Sequence, residues 1–172
     1  MNGVAGPNLL HFVLLVLAAG CVVSMLREAS GKAVSPSRLA APPTFAAICA
    51  LLFFVLSIGT GFPSWTFAVA LAIGLGAGAV RGWTMKLRVD HMFGIARVPK
   101  APYAFLAGVV LLAAVLLEIG SALVGAATSP VRWVALDLTA ARAGVLIGRA
   151  SAIAVRWNKQ PHRDLRSTVN VE

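Results

Sequence analysis

Apolar residues fall into five long runs, at about 9–26, 43–61, 65–80, 103–126 and 133–157, with polar segments between them. A helix needs about 20 apolar residues to cross a hydrocarbon core of about 30 Å, whereas barrel strands are half as long and alternate in polarity. The pattern therefore predicts an all-α, polytopic membrane protein: five transmembrane helices in a single integral membrane domain over 1–172. Loops 27–42 and 81–102 and a tail, 158–172, are polar. The start, MNGVAGPNLL, lacks the basic segment of a cleaved signal, so the first run reads as a retained span.

Finer periodicities predict local features. Ala70, Gly74, Gly78 and Gly82 recur every four residues, which lays small side chains in one strip and marks a helix-packing face. In loop 81–102, Met85, Leu87 and Val89 alternate with Lys86, Arg88 and Asp90 before Asp-His-Met-Phe-Gly. Period two followed by turn residues predicts a short β-hairpin. A lone hairpin is marginal in water, so this one has to lean on the membrane surface or on neighbouring loops. Pro43 is expected at the start of the second helix, where a missing N–H costs little.

Composition agrees, since 59% hydrophobic against 12% charged residues lies well outside soluble norms. A net charge of +9 would suggest nucleic acid in a soluble protein, but here the basic residues collect between apolar runs and no nucleic-acid-reading motif appears. With the N-terminus outside, the inner segments, counted with Arg156, hold twelve Lys and Arg and the outer ones only Arg132. That bias predicts an inside C-terminus in a cytoplasmic (inner) membrane and contact with anionic headgroups. Nucleic acid is not an expected partner.

Charge inside the apolar runs narrows the candidate chemistry. The last run carries Asp137, Arg142 and Arg149, and the fourth carries Glu118. An ionisable group in hydrocarbon is costly unless paired or hydrated. Counting along the fourth and fifth runs puts Glu118 and Arg142 both about 12 to 14 Å from the outer ends of their helices, which predicts an ion pair between them. It serves either as a lock between helices or as a polar lining. Arg142, Arg149 and Arg156 are spaced by seven, a basic stripe in which Arg149 and Arg156 are expected to contact lipid headgroups. Asp137 is expected to reach water or Arg132.

Cys21 and Cys49 lie in adjacent runs at comparable counted depth, compatible with a thiol relay or with two small hydrophobes. His11 is expected at the outer interface, His91 in the hairpin turn and His162 in the tail. HExxH, P-loop, GxSxG and dinucleotide fingerprints are missing from the sequence. No catalytic residue, metal or cofactor is expected.

The first loop, LREASGKAVSPSRLAAPPTF, has a basic residue closing the first span, a Lys-x-Val-Ser step, a second basic residue and Pro-Pro opening the second span. In this it resembles the CcdC-like small integral membrane proteins, with Ala33 where that pattern has proline. The resemblance extends as topology through the remaining spans. It implies a fold and an association with cytochrome c biogenesis, and no catalytic residues to carry over. The leading expectation is a non-enzymatic accessory or scaffold protein that engages another membrane protein or self-associates. The alternatives are a small transporter or channel using Glu118 and Arg142, and a membrane thiol oxidoreductase using Cys21 and Cys49.

Overall fold

The computed structural model describes residues 9–30, 33–58, 61–97, 105–123, 130–157 and 159–161. Five helices, α1 (Leu9–Ala29), α2 (Pro36–Ser57), α3 (Ser64–Thr84), α4 (Phe105–Leu123) and α5 (Pro130–Trp157), are each long and apolar enough to cross a membrane. The chain is thus an all-α, multi-pass membrane protein. α5 is the longest and the most buried of the five, packing against α2, α3 and α4, while α1 packs against α2 and α4.

Two helix boundaries differ from expectation. α1 runs on to Ala29, because its buried positions His11, Leu14, Ala18, Cys21, Met25 and Glu28 form an uninterrupted stripe of alternating three- and four-residue steps. α2 begins at Pro36, after Ser35 in extended conformation, and so contains Pro42 and Pro43 in its interior. Proline at the first helical position is favourable, whereas interior prolines remove hydrogen bonds that the helix must replace. α1 meets this stretch directly, with the Cys21 thiol 3.7 Å from the Pro42 carbonyl oxygen.

The glycine strip is a packing face. Gly74, Gly78 and Gly82 are buried, and Ala70 is half-buried on the same side. A Cβ added at Gly74 would strike the Ala141 carbonyl, and one at Gly78 that of Val145. At Gly82 it would come 2.7 Å from the Ala152 Cβ. α5 answers with Gly144 and Gly148, which meet the Leu71 and Leu75 carbonyls in the same way. Contact positions advance together on both helices, so α3 and α5 run parallel, backbone against backbone. Small residues permit this approach, and without a hydrophobic drive in lipid it is the contact itself that holds the helices together.

The expected hairpin is present as β2 (Arg88–Asp90) and β3 (Ile95–Arg97). Asp90 Oδ1 accepts from the backbone N–H of Met92 at 3.0 Å and of Phe93 at 3.2 Å, and Gly94 takes φ +58 to close the turn. Unexpectedly, β1 (Ala33–Val34) in the first loop pairs antiparallel with β3, giving a sheet of order β1-β3-β2. Its support comes from the bundle itself. Leu87, Val89 and Ala96 are buried with Ile153 of α5, flanked by Leu39, Met85 and Trp157. This sheet marks one end of the bundle.

Candidate functional site

The charges inside the bundle are built into the helices that α5 meets. Away from the sheet, Glu118 of α4 is only 1% exposed. Arg132 in the first turn of α5 donates from Nε to Glu118 Oε2 at 2.9 Å, with Nη2 2.6 Å from Oε1, and Nη2 also donates to the Leu56 carbonyl of α2 at 3.3 Å. One guanidinium therefore ties three helices. The expected Glu118–Arg142 pair does not form. α5 starts at Pro130 rather than Trp133, so Arg142 lies about 18 Å from the start of its helix and ten residues beyond Arg132. Arg132 needs only the length of its own side chain to reach the carboxylate, and a two-toothed, largely buried Arg–carboxylate contact is the strong form of the interaction.

Asp137, expected to reach water or Arg132, is half-buried and has a side-chain partner on α3. It accepts from Thr66 Oγ1 at 3.1 Å, linking the starts of α3 and α5. At the sheet end, Arg149 is 8% exposed and donates from Nη2 to Glu28 Oε1 of α1. Arg156 donates from Nη1 to the Gly82 carbonyl at 2.7 Å and the Met85 carbonyl at 2.8 Å. Both arginines of the expected basic stripe therefore make contacts inside the protein. Arg149 is turned inward to an acid in the buried stripe of α1, and Arg156 caps the carbonyl end of α3, where a cation is favoured by the helix dipole.

Arg142 is the exception. It is half-buried near the middle of α5 and has no hydrogen bond or ion pair among the described residues.

Cys21 and Cys49 are free and buried. Cys21 faces the Pro42 carbonyl and Cys49 faces the Leu14 carbonyl at 3.9 Å, so along the antiparallel α1 and α2 the two are offset by seven residues, about 10 Å. Comparable depth is thereby corrected: a disulfide needs Cα atoms within about 7 Å. His11 is buried in the first turn of α1, and His91 lies in the hairpin turn with its Nε2 2.8 Å from the Gln160 carbonyl oxygen. His162, Lys32, Lys100, Arg163 and Arg166 lie outside the described residues.

Two partners escaped sequence reasoning, Arg132 for Glu118 and Glu28 for Arg149. Glu28 was recoverable, because it is the only acid in loop 27–42 and continues the α1 stripe by one more step. A cavity of about 690 Å³ also lies between α2 and α5 near the sheet, with Glu28 and Arg149 in its wall. No family model, curated protein or solved structure matches the chain.

Proposed function

We propose that the chain is a non-enzymatic accessory or scaffold protein of the cytoplasmic membrane that acts by docking to another membrane protein or to a second copy of itself. Arg142 carries this reading. It lies about 18 Å from the start of α5 and about 22 Å from its end, too deep for its side chain to reach either interface. A lone arginine at the centre of a span costs about 3 kcal/mol even on permissive insertion scales. Every other charge in the described spans that points into the bundle is held by a named partner, so an acidic or carbonyl group on a neighbouring span is the economical way to satisfy this one.

The test is purification of the full chain in mild detergent, wild type beside Arg142→Gln. Wild type is expected to bring a partner span, or a second copy, that the variant loses while keeping its own melting temperature. Identical partners and identical particle size for both would refute the docking role.

Orientation belongs to the same proposal. The twelve-to-one excess of basic residues supports an outside N-terminus and an inside C-terminus, and a C-terminal reporter active outside the cytoplasm would reverse it. The CcdC-like first loop supports a link to cytochrome c biogenesis or electron-transfer complexes. Deleting the chain should then lower covalently bound haem in membrane fractions, and unchanged haem staining would remove the link. Transport has less support, because it relied on Glu118 and Arg142 facing one polar path and Glu118 is engaged by Arg132.

A further inference from the structure

The cavity between the first half of α2 and the last half of α5 opens to the side of the bundle at the sheet end, and its volume of about 690 Å³ falls in the range of small-ligand sites, about 300 to 1,000 Å³. Its walls are almost wholly apolar, including Leu39, Pro43, Ala47, Leu146, Ile153 and Trp157. The Thr44 and Ser151 hydroxyls in the wall donate to carbonyls of their own helices, which leaves Glu28 and Arg149 as its charged groups. The Arg149 side chain is more than nine-tenths buried, and although Nη2 is taken by Glu28, its Nε is buried with no acceptor. A buried donor on a charged group left without an acceptor is expensive, so its persistence calls for an oxygen that the protein does not supply.

The backbone of Leu39, a residue of the cavity wall, also lacks its usual helical donors. The N–H groups that ordinarily close on the Leu39 carbonyl come from three or four residues on, and those positions are Pro42 and Pro43. Exposed Arg27, in the last turn of α1, and Arg38, in the first turn of α2, lie at the same end of the bundle.

We propose that this cavity binds one anionic glycerophospholipid from the leaflet at the sheet end, with an acyl chain along the apolar wall and a phosphate or ester oxygen accepting from Arg149 Nε. The apolar walls disfavour a free inorganic anion, which would leave them uncovered. Because Glu28 and Arg149 neutralise each other, attraction to an anionic headgroup comes from Arg27 and Arg38, which a neutral lipid would not use. The lipid enters sideways from the bilayer and needs no aqueous path.

The test uses the full chain reconstituted in bilayers of mixed phosphatidylglycerol and phosphatidylcholine, extracted in mild detergent and weighed intact by native mass spectrometry. One phosphatidylglycerol per chain should survive extraction. Arg149→Lys keeps a cation opposite Glu28 but removes Nε, and Ala47→Phe fills the apolar wall without touching the ion pair. Each should lower retention about tenfold or more, the scale of one lost hydrogen bond to a charged group. Ala77→Phe, on an exposed part of α3, should retain lipid like wild type. Equal retention in all four proteins would mean annular lipid only and would overturn the proposal. So would equal retention of the two headgroups. Should Arg149→Lys fail to fold, Ala47→Phe decides alone, since it leaves the buried pair intact.

Discussion

Replacing Gly78 by alanine puts one methyl into the tightest seam of the bundle, and two opposing effects fix the sign of the result. Helix propensity alone favours alanine over glycine by about 1 kcal/mol. Against it, the new Cβ would overlap the Val145 carbonyl oxygen and lie 2.8 Å from that residue's Cα, and neither is the movable end of a side chain. Carbon atoms pack best at about 3.5 to 4.0 Å, so α3 and α5 would have to part by about 1 Å, and a gap of that size forfeits a quarter to a half of each neighbouring contact. Overpacking of this kind costs about 1 to 3 kcal/mol, and a backbone obstacle argues for the upper end. The net expectation is a loss of about 2 kcal/mol.

Gly76 is the internal control: it sits on the same helix two residues earlier, exposed, with nothing within 4 Å of an added Cβ. Gly76→Ala should be neutral or gain up to about 1 kcal/mol. Thermal unfolding of the full chain, followed by tryptophan fluorescence in one detergent, reads the difference. At about 2 to 4 °C per kcal/mol for a chain of this size, Gly78→Ala should melt about 4 to 8 °C below wild type. A Gly78→Ala protein that melts with or above Gly76→Ala would refute the claim that α3 and α5 touch through their backbones.

At the far end of the bundle, Glu118→Gln and Arg132→Gln should each destabilise by about 3 kcal/mol, since each leaves a largely buried charge uncompensated. The double change should recover part of that loss, whereas Glu118→Gln with Arg142→Gln should recover none; rescue by the second pair instead would restore the discarded partnership. Arg156→Leu removes the donor to the Gly82 and Met85 carbonyls and should lower stability by about 1 to 2 kcal/mol, visible as faster amide exchange in the last turn of α3, with unchanged exchange as the contrary result. Val89→Asp places a charge in the buried seam between hairpin and α5, so trypsin should cut after Arg88 in the variant and not in wild type; equal resistance would show that the sheet is held by other contacts.

Helix number and the glycine face were legible because both are periodic properties of consecutive residues. Length and polarity decide whether a segment can cross a bilayer, and a four-residue repeat of small side chains survives any shift of helix ends. The hairpin was legible for the same reason, through the alternation of Leu87 and Val89 with charged neighbours. β1 was not: two residues, Ala33 and Val34, carry no period, and they are a strand only because β3 offers them an unpaired edge. Charge pairing failed for a different reason, since it depends on differences of depth between helices. Placing the α5 start three residues late made Arg142 look shallower than it is and left Arg132, which lies in the first turn of α5, outside the helix.

The corrected pairs show why α5, the least continuous of the apolar runs, can be the most buried helix. Arg132 fastens its start to α2 and α4, the Gly144 and Gly148 seam fastens its middle to α3, and Arg149 and Arg156 fasten its last turns to α1 and α3. Each contact uses a polar or small residue that would weaken an isolated span but strengthens one enclosed by four others. Enclosure explains every ionisable group in α5 except Arg142, whose side chain is only half-buried. A feature that the internal architecture accounts for nowhere else is best sought on the outside of the bundle, which is why loss of a partner upon Arg142→Gln, with the fold preserved, is the result that would separate docking from mere tolerance of a buried charge.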